Sequence, residues 1–431
     1  MPEAVVINDL DHWRECRECG LFQRLPAIPD GEAAICARCS ALLRRATPDS
    51  IHFARISTVL ATLLFALALS LPLVDLHVLG RFARSTVFSG PEMLRDQGFP
   101  SLGLVLLGTL VLMPAVKLAL DVTVLFGMYV TPTPRWLPWL FGWRDHLSPW
   151  AMVDVFLLGS FVAYTRLKAL AHVDVGPAAI AFGGVMLCLV ATDATLDREA
   201  IWRALHAKGP HHATGRGSAR RPRERSARLI GCDECAYVDD ASEGQRCRRC
   251  GHSLTVRRGP LDRIWALLLA AALLYVPANV LPVMTVKRLA KGGPTTIAKG
   301  VVELAQAHLW PLAILVLVAS LLVPMFKLLS MAAMLIMTHR RSPWRLRGRT
   351  RWFRLVKTIG RWSMIDIFAL SVLAGVVRFG SIATVRPGMG AVAFCAVVII
   401  TMAATEMFDP RRMWDAAGRD QRAFEGERSR A

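Results

Sequence analysis

The sequence has no Walker A stretch, so direct use of ATP is not expected of it. It offers no βαβ context around its CxxC pairs, which argues against thioredoxin-type exchange. No Ser/His/Asp or Cys/His constellation suggests itself, and a non-enzymatic role is expected. Acids are scarce: 33 Asp and Glu stand against 52 Lys and Arg, a formal net charge of +19. That balance looks like a nucleic-acid binder's, but the basic residues gather in loops between apolar segments, so no nucleic-acid partner is expected. Their placement is the orientation signal of a polytopic membrane protein. A signal peptide is not expected either, because the first 50 residues are polar and carry two CxxC pairs before any apolar run.

What the chain does have is apolar length. It is 54% hydrophobic over 431 residues, and several runs exceed the roughly 18 residues of a membrane-span signal. Eight spans are predicted: Phe53–Leu76, Leu102–Met128, Trp150–Ala171, Gly176–Thr195, Ile264–Val286, Leu309–Met337, Trp362–Thr384 and Gly388–Met407. They form two sets of four within an internal repeat. "LMPAVKL" (112–118) matches "LVPMFKL" (322–328) at an offset of 210, and "WAMVDVF" (150–156) matches "WSMIDIF" (362–368) at 212. "LDREAIW" (196–202) matches "FDPRRMW" (408–414), again at 212. An even number of spans in each half makes the repeat parallel.

The predicted organisation is a cysteine module (1–48), a four-span bundle (49–197), a flexible basic linker (198–228), a second module (229–258), a second bundle (259–410) and a basic tail (411–431). The stretch 339–361 has nine Lys or Arg and no acid. With the arginine-rich linker and tail, it places both termini in the cytoplasm. Within it, Trp352, Leu355, Val356 and Ile359 recur at helical spacing, which predicts a helix lying flat among anionic headgroups.

Cys16, Cys19, Cys36 and Cys39 form CxxC-x16-CxxC; Cys232, Cys235, Cys247 and Cys250 form CxxC-x11-CxxC. Two turns, each offering two thiolates, supply the tetrahedral sulfur set that Zn²⁺ prefers, with iron in a rubredoxin-like site as the alternative. Gly20 and Gly251 follow a second cysteine and suit a tight turn. Such a closed site is structural. Cys188 and Cys395 lie within spans and read as packing residues.

Together these features give a mainly α, polytopic fold: two tandem repeats, each a zinc ribbon followed by a four-helix transmembrane bundle. The paired modules, "YVPANVLPVM" (275–284), "PTTIAKGVVEL" (294–304), the P-x-x-K of Pro324–Lys327 and "WSMIDIF" make nearly the whole chain resemble the paraquat-inducible protein A family. The resemblance implies a bacterial inner-membrane component of intermembrane lipid transport. It also implies a periplasm-spanning MCE-domain partner and a phospholipid or other membrane lipid as cargo. The first half departs from the pattern at Leu69, where the second half has Asn279. A redox protein with rubredoxin-like iron and a structural anchor for a partner are the competing readings.

Lys117 and Lys327 each stand three residues after a mid-span proline, Pro114 or Pro324. Inserting a central Lys or Asp costs roughly 2.5–3.5 kcal/mol, so each half is expected to pair its own: Lys117 with Asp154, and Lys327 with Asp366. Two roles stay open, a structural ion pair or a polar cavity coupled to transport. Thr401, Thr405 and Glu406 on the last span are candidates for the same cavity, although Thr in a membrane helix commonly bonds its own backbone. Arg166 and Arg378 match at 212 and read as snorkelling residues. Asp197 and Asp409 are expected to mark the exits of the fourth spans. Segments 77–101 and 287–308, with Gly90 aligned to Gly300, are candidates for partner docking.

Overall fold

The computed structural model describes residues 13–25, 28–78, 81–130, 133–134, 136–168, 172–208, 228–241, 244–257, 259–288, 291–376 and 383–418. Among these, eight helices are long and apolar enough to cross a membrane. In chain order, spans 1–8 are Ser50–Ser70, Pro100–Gly127, Leu137–Thr165, Pro177–Thr195, Leu261–Val280, Trp310–His339, Leu346–Val376 and Met389–Met407. Their outer surfaces are apolar: Leu63, Leu104, Ile180, Leu187 and Leu273 are all exposed. Water would penalise such a belt, whereas lipid accommodates it.

Several predicted boundaries run past the true helix ends. Span 1 stops at Ser70, ahead of Pro72, and span 5 at Val280, ahead of Pro282. Each span gives way to a strand, Val74–Val78 or Met284–Arg288, whose apolar residues extend the hydropathy signal without extending the helix. Each is the central strand of a three-stranded antiparallel sheet. Val74–Val78 lies between Arg81–Ser85 and His172–Val175, and Met284–Arg288 between Lys291–Thr295 and Ala383–Pro387. The two candidate docking segments therefore form hairpins leading to the helices Ser89–Asp96 and Ile297–Gln306.

The second span of each half contains a π-turn, Gly108–Leu112 or Leu317–Leu322, just before the proline of P-x-x-K. Proline has no N–H for the carbonyl four residues back, and a wider turn absorbs that gap. The basic stretch forms the helix Leu346–Ile359, continuous through the 3₁₀ turn Gly360–Met364 with the helix Ile365–Val376. Its inner face is covered by protein, since Thr350, Phe353 and Val356 are buried. The linker begins as the helix Arg198–Lys208, and the tail as the helix Arg411–Ala416 with Trp414 fully buried.

The halves meet along spans 3 and 7, where the Phe156 and Phe368 rings lie edge to face at 5.7 Å. The cysteine modules cross over. The first packs its cysteines with Ile264, Leu268, Met331, Phe353 and Trp414 of the second half. The second packs Cys232, Cys235, Cys247 and Leu254 with Val124, Phe141 and Trp202 of the first.

Candidate functional site

Three of the CxxC pairs sit in the turns of short antiparallel hairpins, and the fourth, Cys247 and Cys250, in a turn closed by the single bridge between Arg246 and Ser253. Gly20 and Gly251 adopt φ of 70° and 75°, where a side chain would be strained. Sγ atoms approach in pairs at 3.6 Å (Cys16–Cys39), 3.5 Å (Cys19–Cys36), 3.5 Å (Cys232–Cys250) and 3.6 Å (Cys235–Cys247). A tetrahedron with metal–sulfur bonds of about 2.3 Å has edges of about 3.8 Å, so both sets have the size and donor chemistry to hold a metal ion. Each set is closed by four thiols, seven of the eight being buried.

The modules are held to one another by buried charge. Arg411 bonds Glu15 at 3.2 Å, Asp233 at 2.7 Å and Asp409 at 2.8 Å, joining first module, second module and tail. Gly231 N–H donates to Glu15 at 3.0 Å. Burial pushes the Glu15 carboxyl up to about 6, against the pull of Arg411 and Arg257. Burial acts the same way on Asp409, but the Arg411 hydrogen bonds win and hold it below its ordinary value. Asp197 and Asp409 do stand at the fourth-span exits, each accepting a backbone N–H of the helix beyond it. Crossed contacts fasten each module to the opposite bundle. Arg354 donates to Glu18 at 2.5 Å and to the Cys39 carbonyl at 3.0 Å, while His146 lies 3.5 Å from Glu234.

Within the bundles the expected Lys–Asp pairs do not form. Lys117 donates to Asp193 at 2.8 Å and to Ser148 at 3.3 Å. Arg144 joins this cluster through Asp121, at 2.5 Å, and through a short contact to Asp193. Asp154 instead faces Arg361 across the seam at 3.7 Å. In the second half, Asp366 accepts a hydrogen bond from Ser320 in the π-turn. The reason is depth: a lysine one turn beyond the proline sits nearer the cysteine-module end, and the aspartate reaches the π-turn.

Around Asp366 the second half is polar where the first is apolar. Tyr275 donates to the Leu321 carbonyl of the π-turn at 3.0 Å, and Asn279 donates to the Tyr275 carbonyl at 2.8 Å. The aligned residues of the first half are Phe65 and Leu69, and Leu110 aligns with Ser320. A small cavity of about 40 Å³ lies between Asp366, Ala369 and Leu373 of span 7 and Thr296, Ile297 and Gly300 of the neighbouring helix. Thr401 and Thr405 donate to carbonyls of their own helix, and Glu406 accepts from Lys357 at 2.8 Å. Lys327 is buried beside Gly360, whose lack of a side chain leaves room for the ammonium. Arg378, and the side chain of Arg166, lie outside the described residues.

Reading the sequence for charge alone misses Asp121, Arg144, Asp193, Tyr275, Ser320 and Arg361. Comparing the two halves position by position exposes all six, since each aligns with a residue of different polarity, Arg361 with Pro149.

The architecture is that of a multi-pass membrane protein made of two tandem halves, each carrying a four-cysteine cluster. The chain belongs to the paraquat-inducible protein A family, whose model matches residues 55–206 and 261–418, one stretch per half. It is 29% identical over 409 residues to lipophilic envelope-spanning tunnel protein A of Escherichia coli, covering 94% of this chain and 91% of that one. It is 30% identical to intermembrane transport protein PqiA of the same organism, over 93% of this chain and 95% of the relative. A probable intermembrane transport protein of Haemophilus influenzae is 26% identical over 98% of this chain and 100% of its own. No solved structure matches the chain.

Proposed function

We propose that this protein is the bacterial inner-membrane component of an intermembrane lipid transport system, with both termini cytoplasmic. It acts without catalysis, passing phospholipid or another membrane lipid to or from a periplasm-spanning MCE-domain partner. The observation carrying this reading is near full-length similarity to two relatives named for intermembrane transport, one of them at 30% identity. The polar enrichment of the second half supports it. A carboxylate beside a π-turn and a cavity is an expensive arrangement that packing alone does not require. Asp366, Ser320, Asn279, Lys327, Thr405 and Glu406 are the residues assigned to that route, with Pro114 and Pro324 setting the π-turns. Zinc fills both closed four-sulfur sites in this reading; colourless protein with two zinc ions per chain is expected, and a visible iron–thiolate spectrum would favour the redox reading instead.

The test is co-purification from native membranes, with lipid and partner proteins identified by mass spectrometry, alongside Asp366→Asn in cells. The reading expects bound lipid, an MCE-domain protein, and lost transport in a variant that still assembles. Full transport by Asp366→Asn would remove that carboxylate from the mechanism, and a preparation devoid of lipid and partner would refute the role.

A further inference from the structure

The sequence repeat isolates one lysine. In the first half Lys117 belongs to a charge cluster with Arg144, Asp121 and Asp193, the Ser148 hydroxyl beside them, which Asp145 extends from Arg144 to Arg198. The second-half residues aligned with Lys117, Arg144, Asp121, Asp193 and Ser148 are Lys327, Val356, Met331, Thr405 and Gly360. Both acids, the arginine and the serine are gone, and the lysine alone is kept. Met331 and Val356 are buried and apolar, and the carboxylate that does act on Lys327, Glu406, is itself bonded to Lys357.

Lys327 is 2% exposed. Among the described residues its ammonium forms neither a hydrogen bond nor an ion pair. It lines a cavity of about 340 Å³ at the cysteine-module end of the second bundle, together with Arg354, Lys357, Arg361, Ser148 and Glu406. Three of the four cations already have carboxylates: Arg354 has Glu18 at 2.5 Å, Lys357 has Glu406 at 2.8 Å, and Arg361 has Asp154 at 3.7 Å. Glu406 also acts on Lys327, so the four cations face three carboxylates and one positive charge is in excess. The Arg361 Nε–H is also buried and without an acceptor, so two donors in one cavity lack partners. A buried, unpaired ammonium is costly, and the counter-charge that the first half builds into span 4 is absent from the aligned place in span 8.

We infer that the cavity bounded by Lys327, Arg361, Lys357 and Ser148 binds a phosphate group, which supplies the counter-charge that Asp193 supplies in the first half. A phosphodiester carries a single negative charge, matching the single excess positive one. The ammonium and the guanidinium Nε–H are donors suited to its oxygens. The volume admits a phosphate with a small headgroup. A lipid headgroup and free phosphate share this chemistry; taking the lipid as the source rests on the transport reading, whereas the anion site does not.

The test uses the full chain, purified in a non-ionic detergent. Three probes are compared: dihexanoylphosphatidylglycerol, inorganic phosphate, and dihexanoylglycerol, which has the tails without the phosphate. Binding is read from the unfolding midpoint, followed by tryptophan fluorescence, and from native mass spectrometry. Two variants are used, Lys327→Met and Thr405→Asp. The second restores the first half's counter-charge, and its folding does not depend on losing the lysine. The expected result is saturable stabilisation by the phospholipid, weakened at least about tenfold in both variants, with no response to dihexanoylglycerol. Equal, variant-sensitive binding of inorganic phosphate without the lipid supports the anion site and makes free phosphate its occupant. No binding of either phosphate probe, equal binding of dihexanoylglycerol, or unchanged binding in both variants overturns the proposal. Because no step measures transport, a failed transport reading leaves this outcome independent.

Discussion

The charged cluster of the first half predicts a specific non-additivity. Arg144 is 5% exposed and Asp121 2%, with Nε and Oδ1 2.5 Å apart. Arg144→Val leaves Asp121 buried without its guanidinium, whereas Asp193 keeps Lys117 at 2.8 Å. Breaking a buried pair from one side costs about 3–5 kcal/mol. The double variant Asp121→Met/Arg144→Val installs the residues found at the aligned positions, Met331 and Val356, both buried in the same setting. Replacing a buried pair by apolar side chains is often neutral or favourable by about 1–4 kcal/mol. The double variant should therefore recover most of the loss, giving a coupling of roughly 3 kcal/mol in a double-mutant cycle. The assay is reversible unfolding in mixed micelles, monitored by tryptophan fluorescence, with metal content checked for every variant. If Arg144→Val costs less than about 1 kcal/mol, or if the double variant is as unstable as the single, the buried-pair reasoning fails.

The packing makes three further outcomes testable. Cys16→Ser should reduce bound metal from two ions to one and should speed hydrogen exchange in Leu346–Ile359 of the second half rather than in Leu137–Leu147, because the modules are crossed; the reverse pattern would contradict the crossing. A methyl group on Gly159 would stand 2.8 Å from Phe368 Cβ and 2.9 Å from the Ile365 carbonyl, so Gly159→Ala should lose about 1–3 kcal/mol, while Gly183→Ala, with nothing within 4 Å, should be neutral or stabilising; equal unfolding midpoints would refute the close seam. Glu199 bonds Arg14 at 2.6 Å and Arg249 at 2.9 Å, and although burial raises its carboxyl, these arginines bring it below the ordinary value of 4.5. Its stabilisation is thus present above pH 4.5 and is lost as pH falls through the lower folded value, so Glu199→Gln should be less stable near neutrality and lose less on acidification, as an unfolding series in pH would report.

The sequence alone determined the features that depend on neighbours along the chain. Hydropathy locates eight helices because each must be apolar over its own length, and CxxC pairs mark metal-binding turns because two thiols are held within one hairpin. The repeat is legible at "WAMVDVF" and "WSMIDIF" for the same reason. The tertiary structure decided which charges meet. Lys117 takes Asp193, 76 residues away, rather than Asp154, and Asp366 takes Ser320. A side chain's partner depends on the rotation and depth of several helices together, quantities that hydropathy averages away. The crossing of the cysteine modules is hidden for a related reason: order along the chain says which bundle a module precedes, but burial of Phe353, Trp414, Phe141 and Trp202 says which bundle it covers.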